Sequence, residues 1–542
     1  MKKLILLCSA AAFVAPVSAF AQSTGSVDFG KETIVVTGTR TQQVGGVQAP
    51  NSPKAKAVLT QEIISRSTPG QTILDTINLV PGVTFQNNDA YGSSGGTLNI
   101  RGFDASRISL TFDGIPLNDT GNYAIFSNQQ LDPELIEQVN VNLGSTDVDS
   151  PTASAVGGTV NYRTRNPRKQ FGGQVSASIG EYDERRLFAV IDSGEFGPFG
   201  TRAFISASRA RNDLPFNQYG KIRKNQYNAK VYQPVGGNGD FISVAGNWNE
   251  NRNNFFGSVP LRTDTSSGRV VGSGTGNRFP LTADERRYTI NYPCQLTVAR
   301  AGLADAANTC GTEFDRRYNP SNTGNIRVNS RFTLASNLVL TVDPSFQYVK
   351  ANGGGTVTGR EYGFDINPAK IGTTANSNCS TTPNGPAVAC APGFFGGSPY
   401  FGGVDLNGDG DKLDTVTLLA PSQTRTRRYG VLAGLRYDIA PGQSIRVNYT
   451  HDYGNQRQTG EVIGLTKFGE PLDVFPVNAP LKDVNGNVLQ KRDRQSFAVL
   501  DQVSGRISWR IRSAGRRPRP ALAVVQARPA AELLHDLGVR LR

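Results

Sequence analysis

From Gln170 onward the sequence alternates apolar and polar residues, and this alternation limits the possible folds more than any other feature. Residues 174–179 read Gln-Val-Ser-Ala-Ser-Ile, and the pattern returns at 338–348 and 445–450. Successive side chains of a β-strand point to opposite faces, so each segment predicts a strand with one apolar and one polar face. Segments of about ten residues with this pattern, repeated in series, are typical of a transmembrane β-barrel.

The first 21 residues have the organisation of a secretory signal peptide. Two lysines precede an apolar core from Leu4 to Val17, and an A-x-A cleavage site ends at Ala21. This core is too short for a membrane helix, which needs about 20 apolar residues. No later segment reaches that length. Because a bilayer admits only helices and closed barrels as spanning structures, an exported membrane protein of this kind is expected to be a barrel.

The connections between the predicted strands differ in length. Asp192–Thr201 and Ile439–Gln443 are short, whereas Asn249–Tyr318 and Gly353–Thr424 are long insertions. Short turns on one side and long loops on the other mark the periplasmic and extracellular ends of such barrels. A soluble secreted β-sandwich is the alternative, and the long glycine- and asparagine-rich loops disfavour it. We therefore expect barrel strands over residues 170–510.

Upstream of this region, residues 69–167 predict a small α/β domain. Short strands are expected at 98–100, 108–112 and 139–143, with a turn at Asp113-Gly114. The run LDPELIEQV predicts a helix with Asp132 at the N-cap and Pro133 at the first position.

The residues before this stretch add a strand and two short helices to the prediction. The strand is expected at 57–59, and the helices begin at Thr60 and Thr72. Leu74, Ile77 and Leu79 are predicted to lie in the core of the domain.

Five motifs in this region, in this order, resemble the plug domain of TonB-dependent outer-membrane receptors. They are PGV (81–83), IRGF (100–103), DGIPL (113–117), LIEQVNVNLG (135–144) and GGTVNYRTRNP (157–167). The resemblance implies an N-terminal α/β plug domain, at 45–167, inside an antiparallel transmembrane β-barrel. The last motif departs from the family, because Tyr162-Arg163 stands where relatives usually carry an apolar residue.

The leader at 22–44 contains a segment that resembles the TonB box of this family. Its residues are Glu32, Thr33, Ile34, Val35, Val36, Thr37 and Gly38. A short β-branched run in a flexible leader can also add as a strand to the sheet edge of a partner. An ordinary first strand of the plug is the alternative. The resemblance implies TonB and its inner-membrane energising complex as partners.

The resemblance further implies active import of a scarce ligand across the outer membrane of a Gram-negative bacterium. A ferric siderophore is the family default, and cobalamin, carbohydrate or another metal chelate are the alternatives. Tyr91, Tyr123 and Phe126 lie in polar plug loops and are the predicted ligand contacts. A passive gated porin or adhesin using the same barrel is the rival function.

Catalysis and nucleic-acid binding are not expected. With two histidines in the chain, the sequence shows no nucleophile–base constellation, so we predict no enzyme and no required cofactor. The net charge of +13 is not interpreted as a nucleic-acid surface, because lysine and arginine are spread through strands and loops. We expect outer-membrane lipid to surround the barrel.

The long insertions contain two further predicted features. Cys294 with Cys310, and Cys379 with Cys390, each share one loop, and these local disulfides are preferred among the three possible pairings. Oxygen-bearing side chains recur at alternate positions around Gly410, as in the first half of a calcium-binding loop. The predicted calcium ligands are Asp405, Asn407, Asp409 and Asp411. Val416 stands where the final glutamate of such a loop would be, and a solvated turn is the alternative.

The alternating pattern stops near Arg510, and residues 511–542 are rich in arginine, alanine and proline. Relatives close their barrels with about 22 strands, and about half that number can be recognised here. We therefore expect this segment to be a frameshifted end of a truncated barrel. An open barrel in lipid would leave backbone groups unsatisfied, so the chain as written is predicted to be a non-functional receptor.

Overall fold

The computed structural model describes residues 55–511 and Val524–Val525, apart from a set of interior gaps. These gaps are 94, 122, 127–130, 145, 147–149, 151–154, 214–220, 255–298, 306–317, 354, 362–403, 412, 441–442, 467–470, 483–485, 487 and 491–495. The predicted signal peptide, the TonB-box segment at 32–38 and the four loop cysteines (Cys294, Cys310, Cys379 and Cys390) lie outside the described residues, as does nearly all of 512–542.

The N-terminal region folds into the predicted α/β domain. Its main sheet has five strands in the order β1-β7-β8-β5-β6, and a second sheet has the order β2-β3-β4. The strands are β1 (Lys56–Thr60), β2 (Val83–Asn87), β3 (Gly96–Ile100), β4 (Phe103–Asp104), β5 (Ile108–Phe112), β6 (Ile115–Pro116), β7 (Ile136–Leu143) and β8 (Gly158–Thr164). The helices are α1 (Gln61–Ile64) and α2 (Ile73–Thr76), with 3₁₀ helices at Ile77–Leu79, Ala105–Arg107 and Pro133–Leu135.

The core of this domain is apolar. All five residues of β5 are buried, and Leu110 and Val160 of the parallel pair β5–β8 have no exposed surface. Tyr162 takes the place of an apolar residue, because its ring is buried and packs against Phe112 with ring centroids 5.7 Å apart. A side chain at Gly158, where φ is +138°, would collide with the carbonyl of Asn142, so two strands approach at a position that only glycine fits.

Two local predictions are wrong. The LDPELIEQV run forms a three-residue 3₁₀ helix and then β7, because Ile136, Val139 and Val141 have the period of a strand and lie in the buried sheet. Leu79 is 48 % exposed, whereas Leu74 and Ile77 are buried as predicted. The chain tightens into a 3₁₀ helix at Ile77–Leu79, which turns Leu79 away from the core.

The second region is one antiparallel sheet of eleven strands, in the order β21-β20-β19-β18-β15-β14-β13-β12-β11-β10-β9. The strands are β9 (Phe171–Gly180), β10 (Glu184–Ser193), β11 (Arg202–Asp213), β12 (Lys221–Val235), β13 (Asp240–Asn251), β14 (Ser321–Ala335), β15 (Leu338–Asn352), β18 (Gln423–Ala440), β19 (Gln443–Thr459), β20 (Ser496–Ile511) and β21 (Val524–Val525). The small hairpin of β16 (Thr356–Arg360) and β17 (Thr415–Leu419) lies in a long insertion.

The two faces of this sheet differ as the alternation predicts. Along β12, Lys224, Gln226 and Lys230 are buried, whereas Tyr227 and Val231 are about half exposed. The polar face therefore points inward and the apolar face outward, which is the arrangement of a partial β-barrel in a membrane. Among the described residues, no helix is long and apolar enough to cross a membrane.

Candidate functional site: the interface between plug and sheet

The polar inner face of the large sheet is covered by the α/β plug, and buried charges connect the two. At the turn between β5 and β6, Asp113 adopts φ = +47°, a left-handed conformation that asparagine and aspartate tolerate better than most residues. Its carboxylate accepts hydrogen bonds from Thr164 N at 2.7 Å and from Arg327 Nε at 2.6 Å. Arg327 belongs to β14, so this ion pair fixes the predicted Asp113-Gly114 turn to the sheet.

The surroundings of Asp113 keep it charged. Burial alone would raise the pKa of Asp113, but Arg327 and Lys230, together with the hydrogen bonds from Thr164, outweigh burial and hold that pKa below its usual value. The Arg327 guanidinium lies 4.0 Å from the centroid of the Phe112 ring. Lys230 Nζ donates to Thr164 Oγ1 at 3.2 Å. A plug carboxylate and two sheet cations therefore share one buried network.

A second buried network lies at Arg186 of β10. Its guanidinium donates to Glu134 at 2.6 and 2.8 Å and to Asp132 Oδ1 at 3.1 Å. Ser208 Oγ donates to the other oxygen of Asp132 at 2.8 Å. The predicted N-cap residue Asp132 makes no side-chain capping bond, because its carboxylate is used by these sheet residues.

A third contact holds the DGIPL motif. Arg428 of β18 forms an ion pair with Asp452 and donates from Nη1 to the carbonyl of Asn118 at 2.6 Å. Gln347 Nε2 donates to the carbonyl of Pro116 at 2.8 Å. These sheet side chains donate to backbone carbonyls of the plug, so this contact depends on the path of the plug backbone and not on the plug side chains.

The sequence did not single out these interface residues. Arg186, Arg327 and Arg428 occupy inward positions of their strands, where alternation indicates a polar face without naming a partner. The sequence does contain one indication of these contacts. The arginines on the strands are opposite in charge to Asp113, Asp132 and Glu134 of the plug.

Two of the predicted ligand contacts already hold protein partners. Tyr91 OH donates to the carbonyl of Glu181 at 3.2 Å, in the connection between β9 and β10. Tyr123, with φ = +59°, has its OH 3.3 Å from Gln502 Oε1 of β20. Burial raises the pKa of both phenols, with nearby acids adding to the effect at Tyr91. Phe126 is 42 % exposed. Tyr91 therefore contacts the sheet at its β9–β10 edge, and Tyr123 contacts it at β20, near the other edge of the strand order.

The predicted calcium loop meets acids from two other segments. Carboxylate oxygens of Asp305, Asp409 and Asp414 lie within 4.8 Å of one another, and so do those of Glu361, Asp411 and Asp414. The spacing of the loop indicated Asp409 and Asp411 but not the other three acids. Gly410 has φ = +96° and makes the predicted sharp turn.

The remaining predicted ligands have local roles in this loop. Asp405 accepts hydrogen bonds from the backbone of Gly408 at 2.6 Å and Gly410 at 2.8 Å, and Asn407 donates to Asp414 at 2.6 Å. Burial raises the pKa of Glu361 to about 7, although backbone donors at Leu406 and elsewhere oppose this rise. The acids form a compact set of hard oxygen ligands of the kind that calcium prefers.

The comparisons with known proteins agree with this architecture. Residues 49–159 match the family described as TonB-dependent Receptor Plug Domain. A structure of P. aeruginosa FpvA bound to a heterologous pyoverdine–iron complex is 14 % identical with a TM-score of 0.53, covering 88 % of this chain and 53 % of that chain. The pyoverdine outer membrane receptor FpvA from Pseudomonas aeruginosa PAO1, bound to pyoverdine, is 14 % identical with a TM-score of 0.52, covering 84 % and 54 %. The chain therefore has the fold of these receptors and spans about half their length.

Proposed function

Because residues 49–159 are a TonB-dependent receptor plug seated on part of a receptor-type β-barrel, we propose that this protein serves TonB-dependent import across the outer membrane of a Gram-negative bacterium. The ligand that we propose is a ferric siderophore, since the FpvA structures hold pyoverdine. Cobalamin, carbohydrate and other metal chelates are the alternative ligands, and a non-functional receptor is the alternative to import. The matching family is one of receptors, and no enzymatic step enters this proposal.

The observation that carries the proposal is the chemistry of the interface. The plug is attached largely through ion pairs and hydrogen bonds such as Asp113–Arg327 and Arg186–Glu134, and a smaller apolar contact is made where sheet residues Phe188, Val190 and Phe204 join the plug core. Separating two apolar surfaces costs roughly 25 cal/mol per Å² exposed to water. Polar groups can exchange their partners for water, so displacement of a plug attached in this way meets that cost only at the smaller apolar contact. Transport by displacement of the plug needs such an interface.

Energy for displacement is proposed to enter at the TonB-box segment. A proline at Val35 would remove a backbone donor from an added strand and fix φ near −65°. We expect V35P cells to lose uptake of radiolabelled iron, supplied in turn as ferric citrate, a ferric catecholate and ferric pyoverdine, while surface binding of the same chelate persists. Gln43→Pro, in the same leader but outside the segment, is the matched control.

The rival porin or adhesin makes a different prediction. A passive pore would continue to transport after a protonophore has dissipated the proton gradient, and V35P would not change its rate. Unchanged uptake in both experiments contradicts TonB-dependent import. Loss of uptake in both, with binding retained, supports it.

We also propose that the acidic cluster binds calcium and joins two long insertions. Asp305 comes from one insertion, whereas Asp414 and Glu361 come from the other. Within the described part of the chain, the buried Oδ2 atom of Asp409 has no hydrogen-bond partner, which leaves it available to a cation. The Asp305 carboxylate of this cluster also forms an ion pair with Arg300.

Calorimetry of the refolded chain tests this calcium site. We expect the double variant D405N/D409N to weaken calcium binding by about tenfold or more, since Asp409 is lost as a charged ligand and Asp405 as the carboxylate that shapes the loop. Asp473→Asn, a carboxylate outside the cluster, is the control. Failure of the unaltered chain to bind calcium contradicts the proposal.

A further inference from the structure

A row of arginines crosses the outward face of three neighbouring strands, at the end of the sheet where the connections are long. Arg185 of β10 is directly paired with Arg211 of β11, and Arg211 with Arg223 of β12. Arg209 lies two residues before Arg211, on the same face. All four side chains are exposed, and we call them the arginine row. Like charges directly opposite each other on one face of a sheet destabilise it, so the row favours a compensating anion.

Protein carboxylates compensate only part of this charge. Asp183 forms ion pairs of 2.8 Å with both Arg185 and Arg211. Within the described residues, neither Arg209 nor Arg223 takes part in an ion pair or a side-chain hydrogen bond. As far as the described residues extend, these two side chains have no protein partner that would compete with a ligand.

An apolar groove of about 740 Å³ lies next to the row on the same face. Small residues on five adjacent strands form its floor: Ala189, Ala207, Ala229, Gly246 and Gly324. Larger apolar and aromatic residues form its walls: Ile191, Ile205, Tyr227, Trp248, Ile326 and Tyr348. Ala207 is two residues from Arg209 along β11, which is roughly 7 Å at the rise of a strand. The cationic row and the groove are therefore continuous.

Glycine shapes the far wall of the groove. Trp248 and Tyr348 both pair with Gly324 from opposite sides, and their rings stack with centroids 6.3 Å apart. A Cβ at Gly324 would lie 2.6 Å from the Trp248 ring, so the stacked pair needs glycine between its strands. The indole of Trp248 also donates to Glu250 Oε1 at 3.0 Å. These contacts hold the wall in place beside the open floor at Gly246.

We propose that the arginine row and the groove together bind one membrane lipid with an anionic phosphate headgroup. The phosphate contacts Arg209 and Arg223, since guanidinium groups match phosphate oxygens in geometry and charge. An acyl chain fills the groove, where van der Waals packing against the floor and walls contributes to binding. A second copy of the chain would bind this surface less well than a lipid. A two-fold symmetric contact would place two positively charged arginine rows against each other. The inference rests on the membrane location in the proposed function.

Trp248 provides a direct reporter of this site. The chain has two tryptophans, so a Trp509→Phe variant leaves only Trp248. We would reconstitute the full chain carrying W509F in phosphatidylcholine vesicles that contain increasing amounts of a lipid with brominated acyl chains. Brominated phosphatidylglycerol is expected to quench Trp248 fluorescence at a several-fold lower mole fraction than brominated phosphatidylcholine does.

Variants separate the two parts of the site. We expect Arg209→Gln and Arg223→Gln each to reduce the preference for phosphatidylglycerol by roughly fivefold, the contribution of one basic residue near a membrane surface. A double change at the other end of the sheet, R168Q/K169Q, removes two charges, as the combined R209Q/R223Q does, is the control for that double variant, and should leave the preference intact. Gly246→Leu should fill the groove and abolish the preferential quenching, whereas Val244→Leu, on the same face outside the groove, should preserve it.

The outcomes distinguish this inference from the proposed function. Equal quenching by the two brominated lipids, or equal effects of the row variants and their control, overturns the lipid site but leaves the membrane location intact. Absence of quenching by either lipid overturns both. Selective quenching that depends on Arg209, Arg223 and Gly246 supports the site.

Discussion

The plug and the large sheet bury opposite kinds of side chain. In the plug, Leu110 and Val160 lie in an apolar core, as in a water-soluble domain. In the sheet, Lys224 and Lys230 are buried, whereas Ile205 is 63 % exposed. The plug is therefore stabilised by its own apolar core, whereas the sheet depends on lipid outside and on a polar partner inside.

The difference explains what happens where the two regions meet. Each contributes a largely polar surface, so the contact contains buried ion pairs, and the plug core extends to the sheet at Phe188, Val190 and Phe204. Removal of one partner from a buried pair costs much more than removal of both, because it leaves an uncompensated charge. Substitutions should therefore have their largest effects at the interface, smaller effects in the plug core and the smallest effects at exposed positions.

The largest effect is expected at Arg327. The change Arg327→Met leaves the Asp113 carboxylate buried without its ion-pair partner and should destabilise the attached plug by about 3–5 kcal/mol. The double variant D113N/R327M should recover part of this loss, since asparagine also tolerates the left-handed conformation. Hydrogen exchange of the plug strands in the refolded full chain, measured against urea concentration, gives both values. Equal losses in the single and double variants would show that the charge pair is not the cause.

The next effect tests the apolar core. Leu110→Ala should lower the free energy of unfolding of the plug by about 2–5 kcal/mol, through lost burial and the cavity left behind. Ile205→Ala, at an exposed outward position, should change it by less than about 0.5 kcal/mol in detergent. The same exchange experiment measures both. A large loss for Ile205→Ala would contradict the assignment of the outward face.

A smaller effect concerns pH and lies inside the plug. Burial raises the pKa of Asp75 from 3.8 to about 6, although hydrogen bonds from Asn87 and Thr72 lower it in part. Since this pKa is higher in the native state than in the unfolded state, protonated Asp75 stabilises the plug. That contribution is complete below about pH 4 and is lost as the pH rises through about 6.

The matched variant is Asp75→Asn, which keeps an acceptor for the Asn87 side chain. We expect it to be more stable than the unaltered chain by about 1–2 kcal/mol at pH 7.5, and equally stable near pH 4. Urea titrations at the two pH values measure the difference. A stability difference that does not change with pH would show that Asp75 is not the titrating group.

The sequence predicted strands and turns, which depend on neighbouring residues. It did not predict contacts between residues that are far apart in the chain. Alternation predicted the strands of the sheet, and the Asp113-Gly114 turn was correctly placed. The pair of Asp113 and Arg327 joins residues 214 positions apart, and no local pattern encodes such a partner. The acids around Asp414 likewise come from separate segments. The LDPELIEQV run had good helix-start residues, but the buried sheet outweighed local propensity.

The smallest effect is expected at Leu79, which spacing placed in the plug core and the structure places at 48 % exposure. Leu79→Ala removes little buried surface and leaves no cavity, so the free energy of unfolding should fall by less than about 0.5 kcal/mol. Ile77→Ala, two residues earlier and fully buried, should cost about 2–5 kcal/mol in the same urea titration. The two substitutions share one short 3₁₀ helix, so local propensity cannot account for a difference between them. If both substitutions lowered the free energy of unfolding equally, Leu79 would have to pack against the plug core. The apolar core would then extend further than the 48 % exposure of Leu79 indicates.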